Sequence, residues 1–400
     1  MSLLNSLLDD KEWQAFLEHK KASILSEREV KKYEKYIEDK EYEEIATHII
    51  NGDYKFSFPR RVEINKIRKN KKRIVYIYKR EEIYILKMLA FLMYKYDYLF
   101  TPNLYSFRQR SGCKKAISDL IRHRMKVKYG YKVDISNYFN SIPVEKLLET
   151  LKEDLEDDKL YELFYDLLIN KKVLSYGEEI EDAKGIMAGM PLASFLANYY
   201  LKDLDKYFYD NKIIYCRYAD DIIVFDEQEK LNEHRKYIIS FLKEKGLEIN
   251  SEKEFYYAPR DEIEFLGFSY KNGTIDLNKN SIRKIKGKIR RSARGLRRWM
   301  IEKETVPQAP LKAMNRKYNK KFYGKEEDDL SWKYWFFPTI NTDKSLKIID
   351  EYMQDWQRYI VTGVHNKKNY EKVPYKILKE AGYKPLVNEY YKYKKENLML

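Results

Sequence analysis

Cysteine is almost missing from this chain: Cys113 and Cys216 are the only two in 400 residues. They lie far apart and form no CxxC pair, which excludes a cysteine-type zinc signature and a disulfide framework. Long apolar runs are missing too. No stretch reaches the roughly 18 apolar residues that a membrane span needs, so no transmembrane helix is expected. The opening residues, Met1-Ser2-Leu3-Leu4-Asn5, hold no basic segment followed by a long apolar core. No signal peptide is expected, and the chain reads as cytoplasmic. No internal repeat is visible either.

The apolar fraction is 44%, enough for a globular core and too much for a disordered chain. A chain of 400 residues allows about two or three domains. The formal charge is +15 and the isoelectric point is near 9.2. That surplus favours a polyanionic partner, either nucleic acid or an acidic membrane surface. The 38 tyrosines lie among the lysines and arginines. Such interleaving suits base stacking together with phosphate neutralisation, though half-buried tyrosines also serve as packing.

One stretch organises the rest: Ile213-Ile214-Tyr215-Cys216-Arg217-Tyr218-Ala219-Asp220-Asp221-Ile222-Ile223-Val224-Phe225. Two β-branched runs read as strands, with Ala219-Asp220-Asp221 as the turn between them. Adjacent carboxylates at a hairpin tip make a hard, oxygen-rich site suited to Mg²⁺. Asp also favours turns for its own reasons, so the tip alone leaves both readings open.

Residues 1–50 are charged and helix-prone and carry no visible chemistry. Residues 62–80 alternate Ile, Val and Tyr with Lys and Arg, which predicts a basic hairpin turning near Lys69–Arg73. Such a hairpin suits phosphate contact, and equally a Lys-guarded edge strand. A buried helix is expected over 81–97. A basic loop, Leu104–Gly112, follows it and opens a helix running from Cys113 to about 126. Tyr129–Ile135 reads as a strand ending at the acid Asp134. Residues 143–170 read as an acidic, solvated helix. Gly185-Ile186-Met187-Ala188-Gly189-Met190-Pro191 is a loop opening a long helix over 193–211. A helix over 227–245 ends at Gly246. Strand segments are expected over 247–250 and 255–257, and a hairpin turns at Asn272-Gly273. From 129 to 270 the order is strand, helices, hairpin, helix, strand: an α+β, ferredoxin-like sheet. That topology can bring Asp134 beside Asp220 and Asp221, and acids converging from two segments are hard to explain as turn chemistry.

Residues 281–300 contain nine Lys or Arg and no acid. They predict a basic helix with an apolar side (Ile282, Ile285, Ile289, Leu296). A membrane-surface helix is the rival reading, but after an acid-lined sheet a duplex-backbone contact is more economical, and no membrane partner is expected. Residues 305–345 read as a loop-rich link anchored by aromatic residues, and 346–400 as helix.

With these residues in hand, the chain resembles a reverse transcriptase over roughly residues 60–275. Tyr218-Ala219-Asp220-Asp221 matches the family's YxDD box, and Asp134 with Phe139 matches the first palm motif. Gly185–Leu201, Gly246–Lys253, Phe265-Leu266-Gly267-Phe268 and Leu104–Gly112 resemble further motifs in the family's order. The Ala188 position and the run Pro191–Asn198 look most like the defence-associated, abortive-infection type among bacterial group II intron-like and retron enzymes. The resemblance implies a right-hand fold with fingers (61–128 and 143–184), a palm (129–142 and 185–277), a helical basic thumb and C-terminal region (278–400), and an N-terminal helical segment (1–60).

It further implies an RNA-directed DNA polymerase that copies a partner non-coding RNA by two-metal nucleotidyl transfer, in anti-phage defence. Asp134, Asp220, Asp221 and the Ile135 carbonyl are expected to hold two Mg²⁺ ions, with Lys253 protonating the leaving pyrophosphate. Lys72, Arg73, Phe139, Ala188 and Gly189 are expected at the dNTP, with Phe139 as a steric gate and core packing as its lesser alternative. Arg108, Arg110, Tyr218, Leu266, Gly267, Arg283, Lys286, Arg290, Arg294 and Arg297 are expected on template RNA and the RNA–DNA duplex. Ala188 stands where group II-like relatives carry Gln, which leaves templated, template-independent and repetitive synthesis all open. Oligomeric state stays open as well, with a homo-oligomer allowed. No RNase H acid set and no His-Asn-His nuclease pattern follow. The alternatives are a group II intron or retron enzyme, and a non-catalytic RNA-binding scaffold.

Overall fold

In the computed structural model the described residues are all except 1, 24–26, 66–71, 110, 124–127, 183, 325–330 and 399–400. The chain forms two compact units: one comprises residues 1–21 and 26–259, the other 22–25 and 260–400.

The first unit holds two sheets. One runs β2-β1-β4-β5, from β1 (Arg60–Asn65), β2 (Lys72–Ile77), β4 (Lys172–Ser175) and β5 (Glu178–Glu181). The basic hairpin is confirmed in β1 and β2, which pair antiparallel from Arg60↔Ile77 to Asn65↔Lys72. Of the expected turn region, residues 69–71 lie outside the described residues, and Lys72 and Arg73 already belong to β2. The β4–β5 hairpin falls where the sequence pattern shows no strand pair. Its turn, Tyr176-Gly177, has φ of 52° and 91°, and Tyr at the first position hides it from a search for Asn-Gly or Gly-Gly.

The other sheet carries the acids. It runs β6-β7-β3-β8, from β3 (Tyr129–Asp134), β6 (Ile214–Tyr218), β7 (Asp221–Asp226) and β8 (Phe255–Tyr257). All its pairings are antiparallel. The first strand in sequence sits between the third and the fourth, as a ferredoxin-like order requires. Directly paired residues share a face. Tyr131, Val133, Ile222 and Val224 therefore lie on one face, and all four are buried. Each fully buried aliphatic side chain contributes about 1.5–3 kcal/mol. The helix Gln228–Glu244 closes this face with Leu231, Ile238 and Leu242. His234 Nε2 meets Asp226 Oδ2 at 2.8 Å, and Arg235 and Tyr131 both donate to Glu254. The opposite face carries Asp134, Asp221, Tyr218 and Cys216.

Several helices are shorter than their apolar periodicity suggests. The helix expected over 81–97 ends at Leu92 and continues as a 3₁₀ segment, Met93–Leu99. The one expected over 143–170 breaks into Val144–Asp154 and Asp158–Ile169, where Asp157 accepts from the Leu160 N–H at 3.1 Å and caps the second. The long helix over 193–211 is likewise Ala193–Tyr200 and Lys202–Asp210, meeting at Leu201. Residues 247–250 make only an isolated bridge, Ile135↔Ile249.

The second unit contains the sheet β11-β10-β9, from β9 (Ile263–Phe265), β10 (Phe268–Lys271) and β11 (Thr274–Leu277). Asn272-Gly273 turns with φ of 49° and 84°, as Asn-Gly predicts. The basic helix runs Lys279–Glu302, capped by Asn278. Residues 305–345 contain a helix, Gln308–Tyr323, where a loop-rich link is expected. Pro307 and Pro310 fall at its cap and first turn, where a missing N–H costs nothing. The basic helix packs on Gln308–Tyr323 and on Lys344–Thr362.

Candidate active site

The tip of the β6–β7 hairpin is built by its neighbours. Ala219 adopts a left-handed conformation with φ of 57°, which costs an L-residue about 1–2 kcal/mol. Two contacts hold it there. Its N–H donates to Ser106 Oγ at 2.9 Å, and its carbonyl accepts from Arg217 Nη1 at 3.3 Å. Ser106 is tied in turn to Asn198: Ser106 Oγ donates to Asn198 Oδ1, and Asn198 Nδ2 donates to the Ser106 carbonyl. Arg217 is 0% exposed and Asp205 1%. Arg217 grips Asp205 with Nε at 2.8 Å and Nη2 at 2.5 Å and also donates to the Asn198 carbonyl at 3.0 Å. Burial opposes the Arg217 charge, but Asp205 outweighs it and holds the guanidinium above its usual range. The loop Asn103–Ser106 runs along β6, with Tyr105 N–H donating to the Arg217 carbonyl and Arg217 N–H to the Asn103 carbonyl.

This frame brings the acids together. Asp134 pairs with Asp221 in the β3–β7 register, and Tyr218 pairs with Asp221. The Ile135 N–H donates to the Asp220 carbonyl at 3.0 Å, and the Asn250 N–H to the Asp134 carbonyl at 2.7 Å. Burial, then the negative charges of Asp134 and Asp221, push the Asp220 carboxyl up to about 6. Lys253 Nζ donates to Asp134 Oδ2 at 2.7 Å. Burial opposes its charge, yet the hydrogen bond to Asp134 and the three acids keep Lys253 above the usual lysine range. Asp134, Asp220, Asp221 and Lys253 thus form one constellation.

As hard oxygen donors that repel one another, the three carboxylates suit a divalent cation such as Mg²⁺. Among the described residues, however, no group of three or more His, Cys, Asp or Glu side chains stands in a metal-holding arrangement. Lys253 supplies the positive charge in this conformation.

The Gly/Pro loop lies against β2 and Phe139. The Tyr76 N–H donates to the Ala188 carbonyl at 2.8 Å, and the Ile186 N–H to the Phe139 carbonyl at 2.8 Å. Gly189 has φ of 112°, and a Cβ there would stand 2.5 Å from the Tyr76 carbonyl oxygen. Gly185 meets the Phe139 carbonyl oxygen at the same hypothetical distance. Both glycines are therefore required by close backbone approach. Ala188 is buried. Phe139 is half-buried and keeps an accessible surface, unlike its neighbour Tyr138, which is buried and donates to the Ala197 carbonyl.

The other expected contacts are distributed more widely. Lys72 and Arg73 have backbones in β2, paired with Asn65 and Ile64; their side chains, and all of Arg110, lie outside the described residues. Arg108 is engaged internally. It binds Asp97 through Nε and Nη2, each at 2.7 Å, and donates to the Thr101 and Leu104 carbonyls. Tyr218 is half-buried beside Phe107, their ring centroids 6.5 Å apart. Leu266 and Gly267 form the β9–β10 turn with φ of 50° and 90°, and Ser281 Oγ donates to the Gly267 carbonyl. Arg283, Lys286, Arg290, Arg294 and Arg297 share one side of the basic helix. Lys286 lies over the Tyr352 ring at 5.0 Å, Arg294 over Trp356 at 5.8 Å and Arg297 over Tyr359 at 5.8 Å. Arg297 also donates to the Ile360 and Val361 carbonyls. Arg283 and Arg290 are exposed.

Ser106, Asn198 and the Arg217–Asp205 pair are absent from the residues expected on sequence grounds. One signal marks them: Arg217 is a lone charge inside an otherwise apolar strand.

Residues 64–270 match the family described as reverse transcriptase (RNA-dependent DNA polymerase). A protein assigned to intron 2 of COX1/OXI3 in Saccharomyces cerevisiae is 26% identical over 290 residues, covering 57% of this chain and 34% of the relative. The Retron Ec86 reverse transcriptase of Escherichia coli is 27% identical over 148 residues, 36% of this chain and 46% of the relative. The chain therefore spans between a third and a half of these relatives' lengths. Among solved structures, a truncated telomerase from Candida tropicalis aligns at a TM-score of 0.45 and 14% identity, covering 56% of this chain and 55% of that one. A telomerase from Candida albicans aligns at 0.44 and 13%, covering 90% and 70%. Among the described residues no helix is long and apolar enough to cross a membrane.

Proposed function

Because this chain belongs to the reverse transcriptase (RNA-dependent DNA polymerase) family, we propose that it is an RNA-directed DNA polymerase that copies a partner non-coding RNA into cDNA. One observation carries the reading: Asp134 on β3 stands in register with Asp221 at the tip that also presents Asp220. In this reading the acid-bearing sheet is the palm, the β1–β2 hairpin belongs to the fingers, and the basic helix belongs to the thumb.

Asp134, Asp220, Asp221 and the Ile135 carbonyl would hold two Mg²⁺ ions, whose charge would stabilise the attacking and leaving oxygens of an in-line displacement at phosphorus. The remaining work falls to the chain's own residues. Lys253, hydrogen-bonded to Asp134, would give its proton to the departing pyrophosphate. Phe139, half-buried where its carbonyl meets the Ile186 N–H, would exclude a 2′-hydroxyl. Ala188 and Gly189 present backbone to the dNTP, while Lys72 and Arg73 pair with its triphosphate. Arg283 and Arg290 neutralise the phosphates of the RNA–DNA duplex.

The biological setting we propose is anti-phage defence, in the cytoplasm. It rests on likeness to defence-associated enzymes and not on the site. A retron or intron role is the second reading, favoured by the relatives' names. A non-catalytic RNA scaffold would have no use for the three converging acids. Sequencing the RNA that co-purifies with the protein, and the cDNA made in cells with and without phage, tests these assignments. A single bound RNA with matching cDNA that rises on infection is the expected result. No bound RNA and no cDNA would overturn the reading, and cDNA independent of phage would remove the defence role.

A further inference from the structure

The basic helix Lys279–Glu302 presents cations on two flanks. Arg283, Lys286, Arg290, Arg294 and Arg297 recur at spacings of three and four and so share one flank. It faces the helix Lys344–Thr362 and borders a cavity of about 400 Å³ that includes Arg283, Lys286 and Arg290. Lys288 and Arg291 fall on the other flank, against the helix Gln308–Tyr323. There a separate cavity of about 420 Å³ is lined by Lys288, Arg291, Ser292, Lys317, Tyr318 and Lys321.

The second cavity is built in an unusual way for a packing gap. Four of its six lining residues are cations and none is an acid. Among the described residues, none of Lys288, Arg291, Lys317 and Lys321 is ion-paired. Lys317 and Lys321, four apart on one helix, point into the same space as Lys288 and Arg291. Like charges gathered this way are destabilising unless something neutralises them. Burial and the Lys288 charge already push the half-buried Lys321 below the usual lysine range. The hydroxyls are pre-ordered: Lys317 Nζ donates to Ser292 Oγ at 2.9 Å, and Ser292 Oγ lies 3.2 Å from the buried Tyr318 hydroxyl. Ammonium and guanidinium groups with hydroxyl donors around a small cleft are what a phosphate requires.

We infer that the cleft between the helices Lys279–Glu302 and Gln308–Tyr323 is a second phosphate-binding site, taking neighbouring phosphate groups from an RNA strand or a free polyphosphate. It goes beyond the polymerase reading and does not depend on it, since binding at this cleft needs no catalysis. Its use is to let one helix hold two phosphate paths at once, one on each flank.

The test is the double variant Lys317→Gln/Lys321→Gln, measured against wild type with two probes. A labelled short single-stranded RNA is titrated at several salt concentrations, and inorganic pyrophosphate is titrated calorimetrically. Two lost contacts should lower the slope of log affinity against log salt by roughly 1.4, at about 0.7 per single-strand phosphate. A reduced RNA slope without pyrophosphate binding identifies an RNA strand as the source. Pyrophosphate binding lost in the variant, with RNA unchanged, identifies a free polyphosphate. If both probes behave alike on wild type and variant, the inference is overturned. Amine-reactive labelling of the wild-type protein covers the case of a misfolded variant. Lys317 and Lys321 should be protected by RNA or by pyrophosphate, and protection by neither overturns the site.

Discussion

Arg217 lies completely buried with Asp205 as its ion partner, directly behind the residue that turns the acidic hairpin. Removing one member of such a pair leaves an uncompensated charge, at a cost of roughly 3–5 kcal/mol. Asp205→Ala should therefore lower the denaturant midpoint strongly and abolish nucleotide incorporation. The double variant Asp205→Leu/Arg217→Met should recover much of the stability but not the activity, because Ala219 loses its guanidinium contact. Equal stability of single and double variants would show that the pair does not act as a unit. At Phe139 the outcome concerns selectivity. Phe139→Ala should raise ribonucleotide use relative to deoxynucleotide on the order of tenfold or more, read by competitive incorporation. Unchanged discrimination would return Phe139 to packing. The acids are legible in sequence because paired Asp between two apolar runs is an unusual pattern. Ser106 and Asn198 are not, because a buried small polar residue is defined by its partner, and the partners lie in different elements.

At the scale of elements, two glycines make opposite predictions. Gly189 has positive φ and no room for a Cβ beside Tyr76, so Gly189→Ala should cost more than about 1 kcal/mol and impair dNTP use. Gly295 sits inside the basic helix, where an added methyl group would meet nothing within 4 Å. Gly295→Ala should stabilise by about 0.5–1 kcal/mol. Thermal melts of the two variants check both signs. Strands are legible where β-branched residues alternate and where Asn272-Gly273 dictates the turn. Helix ends are less so. The breaks at Leu155–Asp157 and Leu201 carry no Pro or Gly, and the helix Gln308–Tyr323 is masked by prolines that its first turn tolerates.

At the scale of the whole molecule, the proposed function and the net charge of +15 together predict a nucleic-acid affinity that depends on salt. Log affinity for an RNA–DNA duplex should fall linearly with log salt, and Arg283→Gln/Arg290→Gln should reduce that slope by roughly 2. The order of strands and helices from 129 to 257 makes the acid-bearing sheet legible from sequence, since a βαββαβ pattern admits few topologies. How far each basic side chain is free for a ligand is not legible: Arg108 reads like a phosphate contact in sequence and is spent on Asp97 in the fold. RNA-templated DNA synthesis by Asp134, Asp220 and Asp221 is tested most directly by primer extension with dNTPs on an RNA template in Mg²⁺, comparing wild type with Asp220→Asn/Asp221→Asn at matched RNA binding. Wild type should extend the primer and the variant should not. Extension that survives in the variant would contradict the assignment of these acids.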